Sequence, residues 1–191
     1  VSQNVVHSLS NTAPTQNVSV PGILYAGNTT TGTNTIARNL VHSLAVSSTS
    51  ASSVMHGIQL VGGTFTVQNN MVRLGIDANG TSTAGASTVR GIYDNGTDAN
   101  RNYYHNSVFL GGTQTSGAAN TIAFTSTGAT NARTFQNNIF VNARSNSGGT
   151  GKHYAVNYGG TTVNPTGLTA NTNMFYVSGT GGVLGVYISI D

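Results

Sequence analysis

The stretch from Asp94 to His105, DNGTDANRNYYH, holds the only local pair of acids in the chain. Asp94 and Asp98 could share a cation or divide acid and base work, and Arg101 and His105 could hold an anionic group. The favoured reading is a solvated loop crossing between strands, because such chemistry usually draws on clustered carboxylates. The chain has no Glu, and its other acids are Asp77 and the terminal Asp191. A second set comes from His7 and His42, each three residues past an asparagine, with Arg73 at the equivalent place one repeat later. Two imidazoles can ligate a metal or grip an anion, but without a carboxylate nearby the set is incomplete, and an exposed stack is expected. His56 and His153 stand singly, with no partner evident in the sequence, and read as structural. No catalytic residue, metal ligand or cofactor is expected from these residues.

The elements that would position these side chains are set by a repeat. Asparagine recurs between apolar neighbours in SQNVVHSL, ARNLVHSL, QNNMVRLGI, YHNSVFLG, QNNIFVNA and NTNMFYVS. The residues are Asn4, Asn39, Asn70, Asn106, Asn138 and Asn173, at steps of 35, 31, 36, 32 and 35. Asparagine is depleted in strands and tolerates the left-handed backbone region, so each marks a corner between two strands. A period in this range signals stacked repeats.

Two further columns keep the same time. A small residue followed by a β-branched one recurs at Gly22-Ile23, Gly57-Ile58, Gly91-Ile92, Thr121-Ile122, Ala155-Val156 and Gly185-Val186. Three residues before each corner stand Val1, Ile36, Val67, Tyr103, Phe135 and Ala170. Each repeat thus offers three short strands, one from Gly-Ile, one into the corner and one out of it. Coils stacked about 4.8 Å apart would turn the asparagines into a ladder of amides bonded coil to coil. The residue before each ladder position, Asn69 and Asn137 in the doublets, is expected to face outward.

Gly-Ile, a variable loop and Ile-x-x-Asn-x-Val together resemble the right-handed parallel β-helix repeat family, over essentially the whole chain. Segments such as NNIFVNARSNSGGTGKHYAV and NYYHNSVFLGGT are similar to repeats of very large secreted or surface proteins of bacteria. The resemblance implies an all-β solenoid of about six coils, forming a single domain over residues 1–191. It also implies export to the cell surface. Its members include polysaccharide lyases, hydrolases, adhesins and passive stalks, so it speaks to fold more than to function. Relatives often bind sugar beside the Gly-Ile column, where this chain places Leu24, Gln59, Tyr93, Ala123, Asn157 and Tyr187. Tyr93 and Tyr187 are the only candidates for carbohydrate contact there.

Composition agrees with an extracellular solenoid. Charged residues are 6% of the chain, with abundant Gly, Ser, Thr and Asn, and there is no Cys. The formal charge is +3 with a pI near 9.5, but seven Lys and Arg spread over 191 residues make no basic patch for nucleic acid. No apolar run approaches the length that membrane insertion needs. The long connections, such as SSTSASS and NGTSTAGAST, read as solvated low-complexity loops.

If Val6, Val41 and Val72 point inward, their neighbours form an apolar outer face. That face would hold Leu40, Met71, Phe109, Ile139, Val141, Met174 and Tyr176, a candidate lateral interface. The coil edges near Val1, Val5 and Val6 at one end, and Val186 and Ile188 at the other, are candidate ends for self-assembly. The chain opens within a coil at VSQNVV and closes just past a marker at GVYISID, so either it is a piece of a longer solenoid or other copies cover its ends. The expected function is a structural, non-enzymatic unit of a bacterial fibre, sheath or surface protein, with itself as partner head to tail and along its side. The alternatives are a carbohydrate-binding or adhesin module, and thirdly a polysaccharide lyase or glycosidase.

Overall fold

A computed structural model describes residues 1–27, 34–83, 86–159 and 165–187, with residues 186 and 187 described by their backbone alone. The described chain is all β and coils into a parallel β-solenoid with three long sheets. The first sheet stacks Ser19–Ala26, Val54–Gly62, Thr88–Asp94, Thr121–Ser126, His153–Tyr158 and Gly182–Tyr187. The second, leading into the corner, stacks Asn34–Ala37, Phe65–Gln68, Arg101–Tyr104, Arg133–Gln136 and Leu168–Asn171. The third, leaving it, stacks Val5–His7, Leu40–His42, Met71–Leu74, Ser107–Leu110, Ile139–Asn142 and Met174–Val177. Every neighbouring pair in these sheets is parallel, and the third sheet keeps one unshifted register from Val5–Leu40 to Ile139–Met174.

The chain makes about five turns rather than six. Six strands in a column are separated by five rises, so counting markers overstates the turns by one. The second sheet has five named strands, with Ser2 bridged to Ala37 below them.

Alternation places one residue of each pair in the core. In the third sheet Val41, Val72, Val108 and Phe140 are buried, while Met71 and Ile139 beside them are exposed. The core fills with aliphatic residues in the N-terminal coils and with rings toward the C-terminal end. Phe124 lies 5.0 Å from the Tyr103 ring, 4.7 Å from Phe135 and 5.0 Å from Phe140. The glycines of the first sheet stand where the third sheet presses closest. A Cβ on Gly57 would lie 2.4 Å from Val72 Cγ1 and 2.5 Å from the Gly91 carbonyl. Ala123 and Ala155, level with this column, are fully buried.

Two markers need correction. Ile92 pairs with Phe124, not Ile122, so the third-from-last marker is Ala123-Phe124 rather than Thr121-Ile122. Ile122 pairs instead with Arg90 and Tyr154. At the last coil Val156 pairs with Gly185, one residue earlier than expected, which puts Val186 opposite Asn157 and Tyr187 opposite Tyr158. In both coils the connection before the strand differs in length, and an Ile or a Gly of the right type stood near enough to mislead. Ile188 lies outside the described residues.

Candidate functional site

The corner between the second and third sheets is the most regular polar feature of the molecule. Each turn residue before the ladder takes positive φ, namely Gln3 at 60°, Arg38 at 56°, Asn69 and His105 at 55°, Asn137 at 56° and Thr172 at 53°. A left-handed residue reverses the chain sharply, and all six are exposed, as expected for the outward position. The next residue is the ladder asparagine, whose Oδ1 accepts from the coil before. Asn39 donates to Asn70 Oδ1 through its backbone N–H at 3.0 Å and through Nδ2 at 2.9 Å. Asn70 does the same to Asn106 at 3.1 and 2.9 Å, and Asn106 to Asn138 at 3.0 and 3.0 Å. The pattern begins at Asn4 and ends at Asn173. From Asn39 onward an Nδ2 hydrogen also goes to a backbone carbonyl of the coil before, as from Asn70 to Ile36 O at 2.9 Å. Asn39, Asn70, Asn106 and Asn138 are buried, so each amide replaces water that the corner excludes.

The acidic pair is not a solvated loop. Asp94 and Arg101 are completely buried and ion-paired, with Arg101 Nη2 also 2.7 Å from Asp98 Oδ2. The guanidinium thus sits between the two carboxylates, where a shared cation would have to lie. Tyr103 OH donates to Asp94 Oδ2 at 2.5 Å, and the Gly96 N–H donates to Oδ1 at 3.1 Å. Burial pushes the Asp94 carboxyl up, against the pull of Arg101, while the Gly63 N–H bond holds Asp98 down. Arg133 stacks one coil above Arg101 and donates to Ser126 Oγ at 3.0 Å and Gly159 O at 3.1 Å. His105 does not join them, since it is the exposed turn residue.

A second buried set was invisible in the sequence. His153 Nδ1 lies 2.9 Å from Thr121 Oγ1 and its Nε2 lies 2.9 Å from Asn146 Oδ1. The order hydroxyl, imidazole, amide has the form of a nucleophile and its base. Thr121 is 1% exposed and His153 0%, however, so no substrate reaches the hydroxyl. Burial, aided by Arg144, lowers the His153 pKa to about 4. Arg144 is itself buried and bonds the Gly75, Gly111 and Thr83 carbonyls, tying the long connections of successive coils together. Those connections are therefore packed in part rather than only solvated, with Ser48, Ser53 and Gln114 all buried.

On the outer faces, His7 and His42 stack at 5.1 Å with rings 6° apart, and Arg73 follows in register. Tyr93 and Tyr187 do not share a column. Tyr93 aligns with Gln59 and Thr125, and Tyr187 with Tyr158. The Tyr93 ring also packs against the His56 ring at 4.9 Å and the Arg90 guanidinium at 4.4 Å. Tyr93, expected as a sugar contact, is thus engaged by His56 and Arg90 of the protein itself. Burial and Arg90 lower the pKa of His56 to about 3.

The apolar outer face is laid out as the alternation requires. Val5 is 62% exposed, Met71 60%, Met174 50% and Tyr176 52%, with Ile139 and Phe109 exposed and Leu40 and Val141 half-buried. Among the described residues, no helix is long and apolar enough to cross a membrane, and no three His or Asp side chains converge.

The fold and the ladder place the chain among parallel β-helix solenoids. No family model, curated protein or solved structure matches the chain.

Proposed function

We propose that the chain is a structural, non-enzymatic unit of an extracellular bacterial fibre, sheath or surface protein, extended by stacking coil upon coil. The observation that carries this reading is the asparagine ladder, which runs through all six corners with a fixed polarity. Each rung offers an Oδ1 acceptor to the coil before it and two donors to the coil after. A further coil below Asn4 or above Asn173 is therefore held by the same bonds, whether it belongs to the same chain or to a second copy. The buried Asp94 and His153 are each engaged by neighbouring side chains, in the Asp94–Arg101 and Thr121–His153–Asn146 sets. The secreted setting rests on the resemblance to surface repeats and on a composition low in charge.

Sedimentation velocity of the 191-residue chain tests the stacking. Species larger than a monomer should grow with concentration, and Val5→Pro, which removes an edge N–H, should abolish them. A monomer at every concentration refutes end-to-end addition.

A second reading, glycan binding, has one observation in its favour. It is a mainly polar groove of about 470 Å³ beside Arg90, with Thr88, Asn120 and Asn157 in its lining. Titration with alginate oligosaccharides, repeated on Arg90→Gln, decides that reading, since binding that survives the change excludes the groove.

A further inference from the structure

We infer that the groove on the outer face of the first sheet is an oxyanion site, in which Arg90 takes a carboxylate, sulfate or phosphate group. The inference deepens the glycan reading, which asks only for hydroxyls, and it starts from one exception among the arginines that the fold draws out of water. Arg101 is paired with Asp94 and Asp98, Arg133 donates to Ser126 and Gly159, and Arg144 donates to three carbonyls. Arg90 is half-buried and makes no hydrogen bond or ion pair among the described residues. Its contact is the Tyr93 ring at 4.4 Å. A ring beneath the guanidinium attracts the cation but leaves its in-plane N–H donors without acceptors.

No acid of the described chain balances this charge. Asp94 and Asp98 are spent on Arg101, and Asp77 accepts the Asn79 and Thr81 N–H groups of its own turn. Burial lowers the Arg90 pKa, as expected for a cation drawn from water without a counter-ion. His56, in register with Arg90 one coil before, is kept neutral by burial and by Arg90, so the guanidinium is the one charge of the pair.

The register gathers further donors beside Arg90. Thr88 and Arg90 alternate onto the same side of their strand, and the Val89–Thr121 pair sets Asn120 next to Thr88 one coil on. Asn120 Oδ1 accepts the Lys152 N–H at 2.9 Å, which leaves its Nδ2 as a donor. A guanidinium, a hydroxyl and an amide thus border a groove of about 470 Å³ whose lining includes no acid. Ile122 and Asn157 carry the groove over the next two coils, which gives room for the polar molecule that bears the anion. One cation among neutral donors suits a single oxyanion, whereas a nucleic-acid strand calls for a row of cations.

Calorimetric titration with sodium sulfate and with sodium glucuronate tests the site, with sodium chloride at matched ionic strength as the reference. Both oxyanions should bind the parent beyond that reference, glucuronate the more tightly because its ring fills more of the groove. Arg90→Gln should weaken each at least about tenfold, the loss expected when a charge-assisted pair is removed. Arg90→Lys, which keeps the charge and loses the planar fork, should fall between the two and carries the test if circular dichroism shows Arg90→Gln unfolded. Arg38→Gln should bind as the parent does, since Arg38 is an exposed turn residue and Gln3 already holds the equivalent position. A parent that binds neither oxyanion, or Arg90 variants that bind both as the parent does, overturns the inference. Competition separates it from the glycan reading. Alginate bound by the parent and displaced by sulfate supports both. Sulfate binding without alginate binding keeps the oxyanion site and removes the glycan reading, and alginate binding that sulfate leaves in place does the reverse.

Discussion

Asn70→Leu tests the asparagine ladder at its centre. The Asn70 side chain is fully buried, and its Oδ1 accepts from both the N–H and the Nδ2 of Asn39. Leucine has a similar volume, so the cost comes from lost partners more than from a cavity. The Asn39 N–H loses its acceptor, and its Nδ2 keeps only the longer bond to Val1 O at 3.3 Å. The Ile36 carbonyl and Asn106 Oδ1 each lose one donor, although Asn106 Oδ1 retains the Asn70 backbone N–H. One orphaned buried donor costs about 1–3 kcal/mol, and the two weakened acceptors bring the total to about 2–4 kcal/mol. For a chain of this size that lowers the melting temperature by roughly 4–16 °C. Asn4→Leu removes the same chemistry from an exposed end and should cost less than about 1 kcal/mol. Urea titrations of both variants give the comparison. Equal losses at Asn70 and Asn4, or no loss at Asn70, would refute the claim that buried amide pairing holds the corner.

Other perturbations probe separate parts of the coil. Arg101→Met should destabilise by about 3–5 kcal/mol in chemical denaturation, because it leaves Asp94 buried beside Tyr103 without its counter-charge. Gly57→Ala should cost about 1–3 kcal/mol, since the new methyl meets Val72 and the Gly91 carbonyl, and a change under a few tenths would contradict that packing. His153 has a folded pKa of about 4, below the usual 6.5, so its neutral form is the stabilising one. Its contribution is complete above pH 6.5 and fades as acid protonates the unfolded chain first, reaching a loss of about 3 kcal/mol near pH 4. His56 acts in the same direction and over a wider window, down to about pH 3. His153→Gln should flatten the acid side of the stability curve, measured by melting at successive pH values.

The corner and the sheets were legible because the asparagine fixes a period and alternation does the rest. Val41, Val72 and Val108 inward, with Met71 and Ile139 outward, follow from counting two residues at a time from each corner. The first sheet was harder to phase, since connections of unequal length precede it and Ile122 imitates the core residue that Phe124 is. The ionic cluster was missed although a signal existed. Arg101 and Tyr103 lie two apart on one strand, as do Arg133 and Phe135, so the alternation that buries the rings also buries the arginines. The composition of the loop from Asp94 argued for solvent and outweighed that parity. The Thr121–His153–Asn146 set left no such trace, because it joins residues from a first-sheet strand, its neighbour and a connection of different coils.

Electron microscopy of the concentrated 191-residue chain tests the central claim most directly. Six stacked strands per column, continued in register by the next copy, predict filaments with an axial repeat of about 29 Å and a strand spacing of about 4.8 Å along the axis. Dispersed particles one unit long at every concentration, or filaments whose strands run along the axis instead of across it, would contradict the account.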